Sequence, residues 1–156
     1  MRTIRAYQSA DRAAMSLVFY RAVREGAKNF YTEAERAAWA PGPLPDESKP
    51  DKLLEQWCWV SEDADRMTGF MSLRRDGELD MAFVIPEVMG DGTAAALYEC
   101  LIAQAKAEGF TRLTVRAAHQ SNRFLTRRGW TLTGIERLED GGEVYDLFLM
   151  TLDLAQ

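Results

Sequence analysis

The chain has 156 residues, 47% of them hydrophobic and 28% charged, with a formal net charge of −5 at pH 7. That is enough chain for one globular domain, expected to span residues 1–156, and its acidity argues against a nucleic-acid partner, whose phosphates call for a basic face. No apolar run approaches the roughly 20 residues of a membrane span and no signal-peptide core opens the chain, so no membrane partner and a cytoplasmic setting are expected.

Thr3 to Tyr7 reads as a short opening strand. Ser9 has the chemistry of an N-cap, Asp11 suits the first helical turn, and Met15, Phe19, Ala22 and Val23 recur at helical spacing as far as Gly26. A second short helix is predicted from Thr32 to Trp39. Pro41, Pro43, Pro45 and Pro50 mark the loop that follows, with a brief helical turn over Asp51–Gln56. Trp57–Val60 and Met67–Leu73 read as strands joined through the polar segment Ser61–Arg66, and Asp76-Gly77 turns into a third strand, Glu78–Ile85.

After this strand comes Pro86-Glu87-Val88-Met89-Gly90-Asp91-Gly92-Thr93-Ala94. Two glycines precede an alanine-rich helix whose buried face is predicted as Ala94, Leu97, Tyr98, Leu101 and Ala105, ending at Gly109. The first N–H groups of a helix lack intrahelical acceptors and sit at the positive end of its dipole, so such a loop suits an anion such as a phosphate. More than eighty residues precede the loop, which does not match a dinucleotide fingerprint opening a first βαβ unit, and no Gly-Lys-Ser/Thr follows as a P-loop would need. Thr111–Ala117 alternates as a strand, a helix is predicted from His119 to Arg128, and strands Thr131–Leu138 and Glu143–Leu152 flank the turn Asp140-Gly141-Gly142. The order is β, α, α, three strands, α, β, α, β, β: a mixed-sheet α/β domain with helices on the sheet faces. Cys58 and Cys100 fall on a strand and a helix and are read as free thiols. With His119 the sole histidine, no metal site is expected.

This order, with Met89-Gly90-Asp91-Gly92-Thr93-Ala94 after the fourth strand, resembles the GCN5-related N-acetyltransferase (GNAT) family, whose loop reads Gln/Arg-x-x-Gly-x-Gly/Ala. The segment from Ala117 through Asn122, Phe124 and Leu125 to Gly129-Trp130 is similar to a second family motif, and Tyr31-Thr32 with Trp39-Ala40-Pro41 also looks like members of it. The resemblance implies the acyl-CoA N-acyltransferase fold, with a central, mostly antiparallel sheet. It also implies acetyl-CoA as acyl donor and direct transfer to a primary amine of a small molecule or peptide. Carried over residue by residue, Phe83, Val84 and Ile85 line the pantetheine arm, which pairs like an added strand. Met89, Gly90, Asp91, Gly92, Thr93 and Ala94 cradle the diphosphate, Asn122 contacts the cofactor, and Tyr31 and Trp39 sit where members build the acceptor pocket. Dimers are common in the family, which makes a homodimer an expectation of the same kind.

Direct attack by an amine needs proximity, a backbone N–H for the charge developing on oxygen, and a base. The donor implied is on the fourth strand near Val84 or Ile85. Period-2 geometry puts Glu78, Asp80, Ala82 and Val84 on one face, making Asp80 the preferred base and Glu78 the second. Three positions depart from the family pattern. Met89 replaces Gln or Arg, and Asp91 stands where a basic residue is common. Leu125 takes the place of a Tyr that acts as general acid in many members, which leaves that role unassigned. The alternative reading is a GNAT-fold acyl-CoA-binding module with weak or no catalysis.

Overall fold

In the computed structural model, which describes residues 1–140 and 142–154, the chain begins with β1 (Arg2–Ala6), α1 (Arg12–Arg21) and α2 (Glu33–Trp39). It continues through β2 (Trp57–Asp63), β3 (Arg66–Leu73), β4 (Glu78–Val84), α3 (Thr93–Ala107), β5 (Arg112–Ala117), α4 (His119–Thr126), β6 (Thr131–Asp140) and β7 (Glu143–Asp153). The strands form one seven-stranded sheet in the order β1-β2-β3-β4-β5-β7-β6. Its pairings are antiparallel except between β4 and β5. The mixed sheet anticipated from the alternation of patterns is therefore the observed one.

Both faces are covered. On one, Leu97 and Leu101 of α3 and Leu125 of α4 pack with Met71, Leu79, Leu113, Val115 and Met150 of the sheet. On the other, Val18 of α1 and Leu53 pack with Cys58, Val60 and Phe70. Burial pushes the Cys58 thiol up to about 12, so it behaves as a small apolar side chain at neutral pH. Cys58 and Cys100 are both free. Trp130 Nε1 donates to the Tyr98 hydroxyl at 2.9 Å inside the first cluster, tying the chain after α4 to α3.

Local chemistry explains where elements begin and end. Ser9 is not the cap expected of it. It lies in a 3-10 turn, Ser9–Asp11, and the Asp11 carboxylate accepts from Gln8 N–H at 2.7 Å while also taking a bidentate Arg5. A full carboxylate held by an arginine fork satisfies the turn better than a hydroxyl. Thr32 does cap α2, in a reciprocal capping box with Glu35. The polar segment Ser61–Arg66 is mostly strand. β2 pairs with both neighbours as far as Asp63, leaving Ala64 and Asp65 as the turn. Ladder hydrogen bonds on two sides override the low strand propensity of Glu62 and Asp63. Of the turn expected at residues 140–142, Gly141 lies outside the described residues.

A β-bulge in β4 sets up the site. Ser72 is opposite Met81 and Leu73 is opposite Leu79, so Asp80 is the extra residue with no partner across the ladder. The bulge resets the alternation. Leu79 and Ala82 pack on the α3 side, Met81 and Phe83 on the α1 side, and Val84 touches both clusters. The single face expected for Glu78, Asp80, Ala82 and Val84 therefore does not exist, because one inserted residue shifts the register of everything after it.

Gly69 on β3 lets β4 approach beyond the bulge. A Cβ there would lie 2.7 Å from Val84 Cγ1 and 3.0 Å from the Phe83 carbonyl oxygen. Gly69→Ala should therefore destabilise the fold by about 1–3 kcal/mol through overpacking. Urea denaturation would register this as a lower midpoint at unchanged slope.

Candidate active site

Pairing between β4 and β5 is confined to Glu78 opposite Thr114 and Leu79 opposite Val115. Beyond these residues the strands diverge, and the sheet opens into a cleft of about 510 Å³ lined by both of them. The Ile85 N–H bonds to the Thr68 carbonyl oxygen at 2.9 Å, toward β3. In an antiparallel ladder bonding direction alternates, so the N–H groups of Ala82 and Val84 point the other way, into the opening. Ile85 itself is 2% exposed and packs in the α1-side core. Of the two donors expected on this strand, Val84 is thus the one facing the cleft.

The glycine loop closes one end of the cleft, with Met89, Gly90 and Ala94 in the lining. Gly90 and Gly92 have φ of +82° and +94°, a left-handed backbone that glycine adopts without strain. Space is open where a Gly90 Cβ would project. Asp91 N–H bonds to Val88, and Ala96 N–H to Gly92. The N–H groups of Gly90, Gly92, Ala94 and Ala95 have no acceptor among the described residues. Four unsatisfied donors at a helix start are a cradle for an anion.

Asp91 acts on the loop itself. Its Oδ1 accepts from Thr93 N–H at 2.9 Å and from the Thr93 hydroxyl at 2.6 Å. Arg2 donates to the Asp91 carbonyl oxygen at 2.8 Å and lies 3.7 Å from the carboxylate. The Thr93 hydroxyl and N–H hold the Asp91 carboxyl below the usual carboxylate range. Thr93 N–H is consequently engaged by protein, and buried Thr93 contributes to the cap of α3.

Asp80 lies in the lining at the bulge. Gln56 Nε2 donates to its Oδ2 at 2.8 Å, and Lys52 Nζ lies 3.1 Å from the same atom. Its Oδ1 accepts no hydrogen bond among the described residues. The side chain is 19% exposed, and one of its oxygens is anchored. Glu78 also lines the cleft, but its carboxylate is 3.3 Å from Arg74.

Tyr31 and Trp39, on and beside α2, line the opposite side together with Phe19, Phe83 and Tyr145. The Tyr31 hydroxyl accepts from His119 N–H at 3.0 Å, and burial raises its pKa, so the phenol stays protonated. The His119 ring packs on Phe148, 4.8 Å between centroids.

Asn122 is not in the lining. Its Oδ1 accepts from Thr126 one turn on, while Gln120, Ser121 and Phe124 of the same helix do line the cleft. The Gln120 Oε1 atom is buried with no partner among the described residues. Leu125 is 2% exposed and packed in the α3-side core. Arg128 stacks on Phe124 at 3.7 Å. Lys52, Gln56 and Phe19 carried no motif, and Ser121, inside the Ala117–Trp130 segment, was not singled out. Period-3.6 spacing marked Phe19 as core, and the anchoring of Asp80 by Lys52 and Gln56 depends on the bulge. Among the described residues no helix is long and apolar enough to cross a membrane, and no group of three or more His, Cys, Asp or Glu could hold a metal ion.

An opened parallel strand pair, with an anion cradle at the head of the following helix, is the frame of an acyltransferase. The chain belongs to the GNAT acetyltransferases: the family model for the acetyltransferase (GNAT) domain matches residues 24–150. It is similar to YafP, an uncharacterized N-acetyltransferase of Escherichia coli (strain K12), at 34% identity over 148 residues, covering 94% of this chain and 93% of the relative. Its fold is similar to a GCN5-related N-acetyltransferase from Rhodopseudomonas palustris, with TM-score 0.91 and 26% identity over 99% of this chain and 96% of that one. It is also similar to yncA of Salmonella typhimurium, solved with its cofactor acetyl-CoA, with TM-score 0.68 and 25% identity over 100% and 95% of the two chains.

The capping geometry changes what is expected of Asp91. Asp91→Ala should lower the melting temperature by removing the acceptor for Thr93, while Asp91→Asn, which can still cap, should retain most of it. Scanning calorimetry of the two variants checks this. Equal losses in both would trace the effect to the Arg2 ion pair instead.

Proposed function

We propose that this chain transfers the acetyl group of acetyl-CoA directly to the primary amine of an acceptor. One observation carries the reading: a single cleft is lined by Gly90 and Ala94 of the glycine loop, by the unpaired edge of β4 and by Asp80. Acetyl-CoA, when bound, supplies a thioester carbonyl activated toward an amine. The donors at Gly90, Gly92, Ala94 and Ala95 suit its diphosphate, and the open edge at Ala82 and Val84 suits the amides of its arm. Phe83 and Met89 add apolar contact. The Val84 N–H is the donor for the carbonyl oxygen as charge develops there. Asp80 Oδ1 takes the proton from the acceptor ammonium, directly or through one water, with Glu78 the second candidate.

A thiolate is a tolerable leaving group, so Leu125 does not preclude turnover. Ser121, one turn before Leu125 on α4, brings a hydroxyl to the same cleft and is our candidate donor to the departing sulfur. The free thiols and the acyl-CoA requirement support a cytoplasmic setting. A second reading, an acyl-CoA-binding module without turnover, is favoured by Leu125 alone.

Acetyl-CoA should stabilise the protein by about 2.7 kcal/mol at a hundredfold excess over its dissociation constant, and a folded Gly92→Val variant should lose that shift. Release of free thiol with a panel of amines separates transfer from binding. With an accepted amine, Asp80→Asn should lower kcat at least roughly 100-fold near neutral pH, with acetyl-CoA affinity nearly unchanged. The deficit should shrink as pH rises, because more of the amine is already deprotonated. Full turnover of the variant across the pH range would rule Asp80 out as the base and move the role to Glu78.

A further inference from the structure

The acceptor side of the cleft has a chemistry of its own. Trp39 is the centre of a ring cluster. Its centroid lies 5.6 Å from Tyr31, 6.0 Å from Phe83, 6.2 Å from Phe19 and 6.3 Å from Tyr145, with interplanar angles of 53–84°. All five rings line the cleft. Both tyrosine hydroxyls are engaged by protein: Tyr31 accepts from His119 N–H, and Tyr145 donates to the Glu35 carbonyl oxygen at 2.5 Å. These walls therefore present ring carbon and hold α2 in place.

The charged groups of the lining are Lys52, Glu78, Asp80 and Arg116. Arg116 pairs with Glu136, Glu78 with Arg74, and Lys52 with Asp80 Oδ2. Two carboxylate oxygens of the lining, Asp80 Oδ1 and Glu78 Oε1, accept no hydrogen bond among the described residues, and Asp80, anchored by Gln56 and Lys52, is the one we assign to the acceptor cation. The whole cleft is about 510 Å³, a small-molecule size that the acyl-donor arm must share.

From these observations, and resting on the transfer reading above, we infer that the acceptor is a small arylalkylamine: one primary ammonium at Asp80, and a flat apolar body among Trp39 and its neighbouring rings. Burying an aromatic group against such walls is favourable through apolar area and edge-to-face contact. A diamine would bring a second ammonium among five rings that themselves carry no carboxylate, which burial penalises. A peptide would bring several amide groups to walls that are mostly ring carbon, leaving most of them unsatisfied.

The test is thiol release from acetyl-CoA with 2-phenylethylamine, 1,4-diaminobutane and the dipeptide Ala-Gly. The expected result is a kcat/KM for phenylethylamine at least about tenfold above the other two. Trp39→Ala should raise KM for phenylethylamine by about tenfold with a much smaller change in kcat, and Trp39→Phe should restore most of the loss. Retention of the acetyl-CoA melting shift reports that each variant is folded. Preference for the diamine or dipeptide, or an unchanged KM in folded Trp39→Ala, overturns this inference and leaves the transfer reading standing. No thiol release with any of the three, nor with a wider amine panel, ends the transfer reading and this inference with it.

Discussion

β4 and β5 run parallel but share backbone pairing only at Glu78–Thr114 and Leu79–Val115. Each strand is held firmly on its other side, β4 by β3 and β5 by β7. The divergence of the two strands therefore costs the sheet a few ladder bonds without costing its continuity. What it leaves is a row of backbone donors and acceptors at Ala82 and Val84 that no neighbouring strand satisfies. Unpaired backbone groups in a half-buried place are costly unless solvent or a ligand meets them. An amide-bearing arm lying along β4 meets them, which is the physical basis for reading the opening as a binding site.

The bulge at Asp80 is the second constraint, and it depends on the first. By adding one residue to β4, it turns Ala82 toward the α3 side, and Met81 and Phe83 toward α1. It also removes Asp80 from the ladder, so that Lys52 and Gln56, from the turn before β2, can fix one of its oxygens. A carboxylate oriented in this way keeps one oxygen that accepts no hydrogen bond, on a residue that lines the cleft. Charge, orientation and access are thus set together by a single irregularity in pairing.

The loop after β4 shows how a departure from a family pattern can be absorbed. Asp91 would repel a diphosphate if it projected toward it. Instead it accepts from Thr93 and sits beside Arg2 of β1, which brings a cation to the same loop from the far edge of the sheet. The donors at Gly90, Gly92, Ala94 and Ala95 are untouched by this arrangement. Met89 contributes apolar lining where the family pattern has a polar side chain.

The order of elements, the mixed sheet and the glycine loop were legible in the sequence, because they rest on local signals. Hydrophobic period distinguishes α3 from β5, two glycines and a proline punctuate the turn, and the Thr32–Glu35 box marks the start of α2. Tyr31, Trp39 and the donor near Val84 came from resemblance to the GNAT family, and Asp80 from its place on the fourth strand. The direction of their side chains and N–H groups was not legible. A bulge has no local signature in Glu78–Val84, yet it decides which residues share a face. The turning of Ile85 toward β3 rather than the cleft, and the anchoring of Asp80 by Lys52 and Gln56, follow from strand register across the sheet. The same is true of the packing of Phe19 onto Trp39 from a different helix. These are long-range pairings, fixed only when distant segments compete for the same hydrogen bonds and the same buried volume.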